Sequence, residues 1–208
     1  MGLRSKQTDV LESQLGEARK RIAELESELA QTARRDHLTQ CLLTLRAFRP
    51  QLELDVQRAH RYRRPLGLVI IDIDGFRAIN RNHGYEVGDT VLVALAQAIS
   101  DMTRAHDLAC RMGGDEFAIL LPETGSEAAL QAGERILPAL EDLPAGPIRG
   151  LSVSVGIAAL RPKQSPERLL ACARKALEQA RAGGGGRAAV YSSDDQAEEV
   201  APDPGHEM

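Results

Sequence analysis

The sequence predicts a mixed α/β domain with a helical segment before it and a polar tail after it. Three observations predict this. Short apolar, β-branched runs alternate with stretches of helical period between Asp36 and Tyr191. A 3.5-residue apolar repeat occupies residues 8–35. The end of the chain, SSDDQAEEVAPDPGHEM, is acidic, contains proline and offers little to bury. The expected organisation is a coiled-coil dimerisation helix over 1–35, the α/β domain over 36–192 and a disordered acidic tail over 193–208.

Within residues 8–35, Leu11, Leu15, Ala18, Ile22, Leu25, Leu29 and Thr32 follow one another at alternating spacings of 4 and 3. Leu15, Ile22 and Leu29 take position a of a heptad, and Leu11, Ala18, Leu25 and Thr32 take position d. A sustained 3.5-residue period predicts supercoiling against a partner helix. In a parallel homodimer Arg21 at g faces Glu26 at e of the other chain, an attractive pair. The other reading of the repeat is an amphipathic helix packed on its own domain.

In the domain itself, Leu66–Ile73 (LGLVIIDI) reads as a buried strand. Gly88–Arg104 carries Val91, Leu92, Leu95, Ile99 and Met102 on one helical face. Leu108–Met112 and Glu116–Leu121 read as strands joined by a hairpin at Gly113-Gly114. Thr124 and Glu127 form a capping-box pattern opening a helix through about Leu140. Leu151–Ala159 alternates with period two, Pro166–Ala182 is helical, and Arg187–Tyr191 is a closing strand.

Composition narrows the function classes. The 208 residues carry 26 Lys plus Arg against 30 Asp plus Glu, a net charge of −4. That balance argues against a nucleic-acid binder, whose footprint is a basic face. The absence of Trp, with only three Phe and three Tyr, argues against base stacking on single strands. No apolar run reaches the ~18 residues of a membrane span, and the N-terminal MGLRSKQTDVLES has no apolar h-region. Cys41, Cys110 and Cys172 are widely spaced, odd in number and form no CxxC pair, so neither a disulfide framework nor a zinc site is expected. The expectation is a cytoplasmic protein without a membrane or nucleic-acid partner.

Two acidic features carry the candidate chemistry. Asp72 and Asp74 lie at the C-terminal end of the first strand, and alternation along a strand sends both to the same face. Carboxylates at a strand end either hold a hard divalent cation such as Mg²⁺ or cap the helix that starts near Gly75. Gly113-Gly114-Asp115-Glu116 sits at a hairpin tip. The glycines let backbone approach a bulky anion and the acids could hold the metal that neutralises it; the other reading is a plain β-turn. Together, acids presented by neighbouring strands suit metal-assisted phosphoryl transfer.

Arg111-Met112-Gly113-Gly114-Asp115-Glu116-Phe117, followed by AILLPET, closely resembles the signature of the GGDEF family, the bacterial diguanylate cyclases. DIDGFRAIN at 72–80, GYEVGD at 84–89, RAHD at 104–107, LSVSVGIA at 151–158 and the 169–181 helix fall in the family's order and near its spacings, so the resemblance runs from Asp36 to about Val190. It implies a central, mostly antiparallel five-stranded sheet flanked by helices, related to the nucleotidyl cyclase and polymerase palm. It also implies a reaction in which two GTP condense to cyclic di-GMP with loss of two pyrophosphates.

The resemblance implies site residues as well. Asp72, the carbonyl of Ile73, Asp115 and Glu116 match the family's ligands for Mg²⁺ or Mn²⁺, with Asp115 and Glu116 as the catalytic acids. Asn80 and Asp89 match the pair that reads guanine. Gly113 and Gly114 lie where the triphosphate passes, Phe76 packs beneath the metal loop, and Arg77 and Arg181 stand where phosphate-binding lysines are common. Arg104 and Asp107 match the RxxD inhibitory site for cyclic di-GMP, with Arg135 as a second arginine.

The sequence also departs from the family. Asp36-His37-Leu38-Thr39 keeps the DxLT pattern, but Gln40-Cys41-Leu42-Leu43-Thr44-Leu45 replaces the usual continuation, with one residue inserted before Arg46. Arg81 replaces an aspartate and Tyr85 a histidine. In the last helix Arg174 replaces an acid and Glu178 a tyrosine. Gly185 stands for an arginine, for which Arg187 could compensate; the Gly183–Gly186 run also reads as a helix C-cap and turn. These changes bear on triphosphate affinity more than on metal binding. The reading is a Mg²⁺-dependent, dimeric cyclase with product inhibition. The alternatives are a catalytically silent receptor for cyclic di-GMP or GTP, and a coiled-coil interaction protein whose domain is a scaffold.

Overall fold

The computed structural model describes residues 14–17, 19–22, 34–141 and 146–192. The chain divides into two compact units after Arg34. In the first, residues 14–17 and 19–22 are helical, and the heptad residues Leu15 and Ile22 are exposed. Leu11, Ala18, Leu25, Leu29, Thr32, Glu26 and the acidic tail lie outside the described residues. Among the described residues no helix is long and apolar enough to cross a membrane.

The second unit is a sheet with helices on both faces. Its elements are β1 (Leu43–Thr44), α1 (Leu45–Tyr62), β2 (Leu66–Ile73), α2 (Phe76–His83), α3 (Tyr85–Met102), β3 (Leu108–Gly113), β4 (Glu116–Pro122), α4 (Ser126–Glu141), β5 (Val153–Ala159), α5 (Pro166–Ala182) and β6 (Ala188–Val190). The strand order is β1-β3-β4-β2-β5-β6. The three inner pairings are antiparallel, and both outer strands add in parallel. The sheet has six strands rather than five. The extra strand, β1, is only two residues long and runs straight into α1, too short for any alternation to show in sequence.

All eight residues of β2 are buried, as befits a central strand covered on both faces. Val69, Ile71 and Ile73 pack with Phe76, Val91, Leu95 and Ile99 of α2 and α3 and with Ala129 and Ile136 of α4. Leu66, Leu68 and Ile70 pack with Phe48, Leu52 and Val56 of α1 and with Leu169, Cys172, Ala176 and Leu177 of α5. The apolar faces of α1 and α5 thus cover one side of the sheet, and α2 to α4 cover the other.

Helix α5 matters most for the site. Ser165 caps its start, its hydroxyl accepting from the Arg168 amide at 3.2 Å, and Pro166 takes the first helical position. The helix lies directly on β5 at Gly156, where an added Cβ would collide with the Ala173 carbonyl and the Leu177 amide. That contact sets the height of α5 above the sheet, and with it the reach of the side chains on its inner edge.

Several boundaries differ from expectation for local reasons. The helix expected from Gly88 begins at Tyr85, directly after Gly84 (φ 87°), and ends at Met102. Beyond it the Asp107 carboxylate accepts from the Arg104 amide at 2.8 Å, closing a separate turn. The capping box at Thr124 does not form: Glu123 at φ 56° reverses the chain, the Thr124 hydroxyl donates to the Pro122 carbonyl at 3.0 Å, and α4 starts at Ser126. Strand β5 starts at Val153 rather than Leu151, because the Ser152 carbonyl accepts the Asp74 amide in the adjoining turn.

Candidate active site at the sheet edge

The acids converge at one end of the central strands. Asp72 on β2 lies directly opposite Glu116 on β4 and Ser154 on β5. Asp115 precedes Glu116 in the β3–β4 turn, where Gly113 (φ 141°) and Gly114 (φ 56°) adopt backbone conformations that side chains disfavour. The β3–β4 ladder shifts register between Arg111 and Gly113, so the tip bulges out of the sheet.

Arginines from α5 answer two of the three acids. Arg181 forms an ion pair with Asp72, and Arg174 donates to the Glu116 carboxylate at 3.1 Å. Asp115 has no hydrogen-bond or ion-pair partner among the described residues. Burial pushes the Asp72 pKa up; the Arg181 hydrogen bond opposes this, and the neighbouring charges of Asp115 and Glu116 add to it. Desolvation lowers the Arg181 pKa, but the hydrogen bond and charge of Asp72 together with the charges of Asp115 and Asp74 outweigh it, so its pKa is raised. Among the described residues no three acidic, His or Cys side chains are gathered as a ready metal cage. The donor set is nonetheless all oxygen and net acidic, which fits a hard divalent cation. In this structure the two guanidinium groups supply the positive charge.

The tip is held from behind. Arg111 donates through Nε and Nη2 to the Gly114 carbonyl at 3.0 and 2.7 Å, and through Nη1 to Asp36 at 3.3 Å. Asp36 also accepts from the amide and hydroxyl of Thr39 at 2.9 and 3.0 Å. Residues of the DxLT pattern therefore brace the signature loop.

Asp74 does not cap α2. Its carboxylate accepts from the Ser152 and Ser154 hydroxyls, each at 2.6 Å, and from the Gly186 amide at 2.8 Å. It thereby ties down the glycine turn after α5. A Cβ on Gly185 would come within 2.8 Å of Asp74 Oδ2, so this turn leaves no room for a side chain there. Arg187 does not compensate toward the acids: it donates to the Gly183 carbonyl at 3.1 Å, closing the helix end.

The positions expected to read guanine sit on α2 and α3. Asn80 packs against Gly88, where any Cβ would strike its amide oxygen. That oxygen is buried and has no hydrogen-bond partner among the described residues, a costly state that a ligand N–H would relieve. Asp89, the next residue along α3, is exposed at a shallow depression that it lines with Val93 and Gln97; Asn80 does not line that depression. Phe76 is buried against Gly88 in the core, whereas Arg77 and Glu178 are exposed.

A second locus lies away from the acids. Arg104, Asp107 and Arg135 line one cavity of about 350 Å³ between the end of α3, α4 and the sheet, floored by Val69, Ile119 and Ile136. Both guanidinium groups lack an acidic partner among the described residues. The structure brings together these three residues, which the sequence analysis had grouped. Sequence reasoning missed that Arg174 meets Glu116, and that Asp36 and Arg111 meet. The signals were present only as a noted departure at Arg174 and as the first letter of the signature at Arg111.

The chain is 35% identical over 173 residues to the probable diguanylate cyclase DgcC of Escherichia coli strain K12, covering 82% of this chain and 46% of the relative. It is 36% identical over 140 residues to the response regulator PleD of Caulobacter vibrioides, covering 64% and 31%. The chain thus spans less than half the length of these curated relatives. Its fold is similar to the crystal structure of the coiled coil and GGDEF domain of DgcB from Caulobacter crescentus in complex with c-di-GMP, with a TM-score of 0.72 and 25% identity, covering 86% of this chain and 98% of that one. Residues 33–187 match the family described as diguanylate cyclase, GGDEF domain, and with that span taking in every strand of the sheet except β6, the chain belongs to the GGDEF family.

Proposed function

We propose that the protein is a diguanylate cyclase that condenses two GTP into cyclic di-GMP. One observation carries the reading: Asp72, Asp115 and Glu116 gather at one end of the central strands, beside a backbone tip whose two glycines have open space around them. In each half-reaction a ribose 3′-hydroxyl of one GTP attacks the α-phosphorus of the other. A P–O(3′) bond forms, the bond to pyrophosphate breaks, and the hydroxyl proton leaves toward solvent through Glu116. The carboxylates of Asp72, Asp115 and Glu116 and the Ile73 carbonyl would hold Mg²⁺ or Mn²⁺, which when bound neutralises the triphosphate and acidifies the hydroxyl. Asn80 offers its orphaned oxygen to a guanine N–H, and Asp89 accepts from the same edge. Gly113 and Gly114 let the triphosphate lie against backbone.

One domain holds one GTP, so two domains must face each other. The heptad supports a homodimer that raises the local concentration of the second domain, and the related DgcB structure contains a coiled coil with its GGDEF domain. GTP places the enzyme in the cytoplasm. Product feedback is assigned to Arg104, Asp107 and Arg135: the two guanidinium groups, without an acidic partner among the described residues, suit a phosphodiester, and the carboxylate suits the guanine edge.

A second reading, a silent domain that only binds cyclic di-GMP, is favoured by a specific observation: Asp72 and Glu116 are both occupied by arginines, while Arg104 and Arg135 are open. Pyrophosphate release from GTP decides between them. The cyclase reading expects release by the wild type and none by Glu116→Gln at equal thermal stability. No release by either, with cyclic di-GMP still bound, selects the receptor.

A further inference from the structure

Arg174 and Arg181 stand seven residues apart on α5, so they lie on one stripe of the helix, roughly 10 Å apart along its axis. Each meets an acid of one cross-strand pair: Arg181 meets Asp72, and Arg174 meets Glu116 at 3.1 Å. At Glu116 the Arg174 guanidinium thus sets a positive charge against an acid that would otherwise add its full negative charge to this end of the strands.

We infer that Arg174 is a resident counter-cation of Glu116 that must leave before a divalent cation can be held there, so that it sets the metal affinity of the site. This deepens the proposed metal-dependent reading and rests on it. The helix is fixed against β5 by the Gly156 contact, so Arg174 stays within reach of Glu116 without backbone movement. Its side chain is 53% exposed, so the guanidinium can swing into solvent at little cost. Glu116 is more enclosed, at 26%, and cannot follow it. The exchange is one cation for another at one carboxylate, with no bond made or broken. A released guanidinium beside the glycine tip would then face the path proposed for the triphosphate, where a planar donor fork suits phosphate oxygens.

The test is Mn²⁺ binding to the nucleotide-free full chain, read from the loss of the free-ion paramagnetic resonance signal. Four proteins are compared: wild type, Arg174→Ala, Arg174→Lys and Asp115→Asn. The inference expects Arg174→Ala to bind Mn²⁺ more tightly, by about fivefold, the upper end for an exposed ion pair. Arg174→Lys should stay near wild type, because the charge remains. Asp115→Asn should bind more weakly. Arg174→Ala at or below wild-type affinity, with Asp115→Asn still weakened, overturns the inference and leaves the metal site standing. Binding indifferent to Asp115→Asn overturns the metal assignment and the inference with it. No binding in any of the four shows that Arg174 is not what keeps the ion out.

Discussion

Arg111 and Asp36, 75 residues apart, are joined by one guanidinium that also grips the Gly114 carbonyl twice. Both side chains are largely enclosed, at 12% and 15% exposure, so the link is not a loose surface pair. It ties the start of the domain to the tip that carries Asp115 and Glu116.

Arg111→Ala should therefore loosen the tip without dismantling the sheet. Loss of three charge-assisted hydrogen bonds is expected to cost about 1–3 kcal/mol of stability. Turnover should fall by at least about tenfold, since a small misplacement of reacting groups is costly. Urea unfolding and amide exchange at Gly114 and Asp115 check the two effects. Unchanged exchange with lost activity would place Arg111 on the substrate rather than behind the loop.

The same link predicts an acid limb. Burial pushes the Asp36 pKa up, but the Thr39 amide and the Arg111 charge outweigh it, and the carboxyl is held below its usual value. A depressed folded pKa means the stabilisation is fully present above the unfolded value, about 3.9, and is lost as pH falls through the folded one. Wild type should exceed Asp36→Asn in urea midpoint at pH 7, and the gap should close as pH drops below about 4. A gap independent of pH would contradict this origin.

At the second locus, Arg104→Ala and Arg135→Ala should each weaken product inhibition by about tenfold or more while leaving initial rates near wild type, since their cavity includes none of Asp72, Asp115 and Glu116. An unchanged inhibition curve in both variants would remove the feedback assignment. Inhibition lost only in Arg104→Ala would confine the site to the turn that Asp107 closes.

What could be read in advance follows the range of the interaction. The eight-residue apolar run of β2, the Gly113-Gly114 hairpin and the helical stretch of α5 are local patterns, and each was legible, whereas the helix α1 was not anticipated. Strand β1 was not, because two residues cannot display a period. The Thr124 capping box was misread because its hydroxyl had a nearer acceptor, the carbonyl two residues back. Asp74 was expected beside Asp72 on the strand or capping the next helix, but β2 ends at Ile73, and in the turn Asp74 finds two serines and an amide from other segments. The Arg174–Glu116 and Asp36–Arg111 pairs span 58 and 75 residues, and no local period marks such contacts.

The central claim is that the acids at the end of β2 and β4 make cyclic di-GMP. The most direct measurement incubates the full chain, stripped of bound nucleotide, with GTP and Mg²⁺ and resolves the products by chromatography with mass detection. The account predicts cyclic di-GMP and pyrophosphate appearing together, two pyrophosphates per cyclic product, and neither with Glu116→Gln. GTP left unconsumed by the wild-type protein would contradict it.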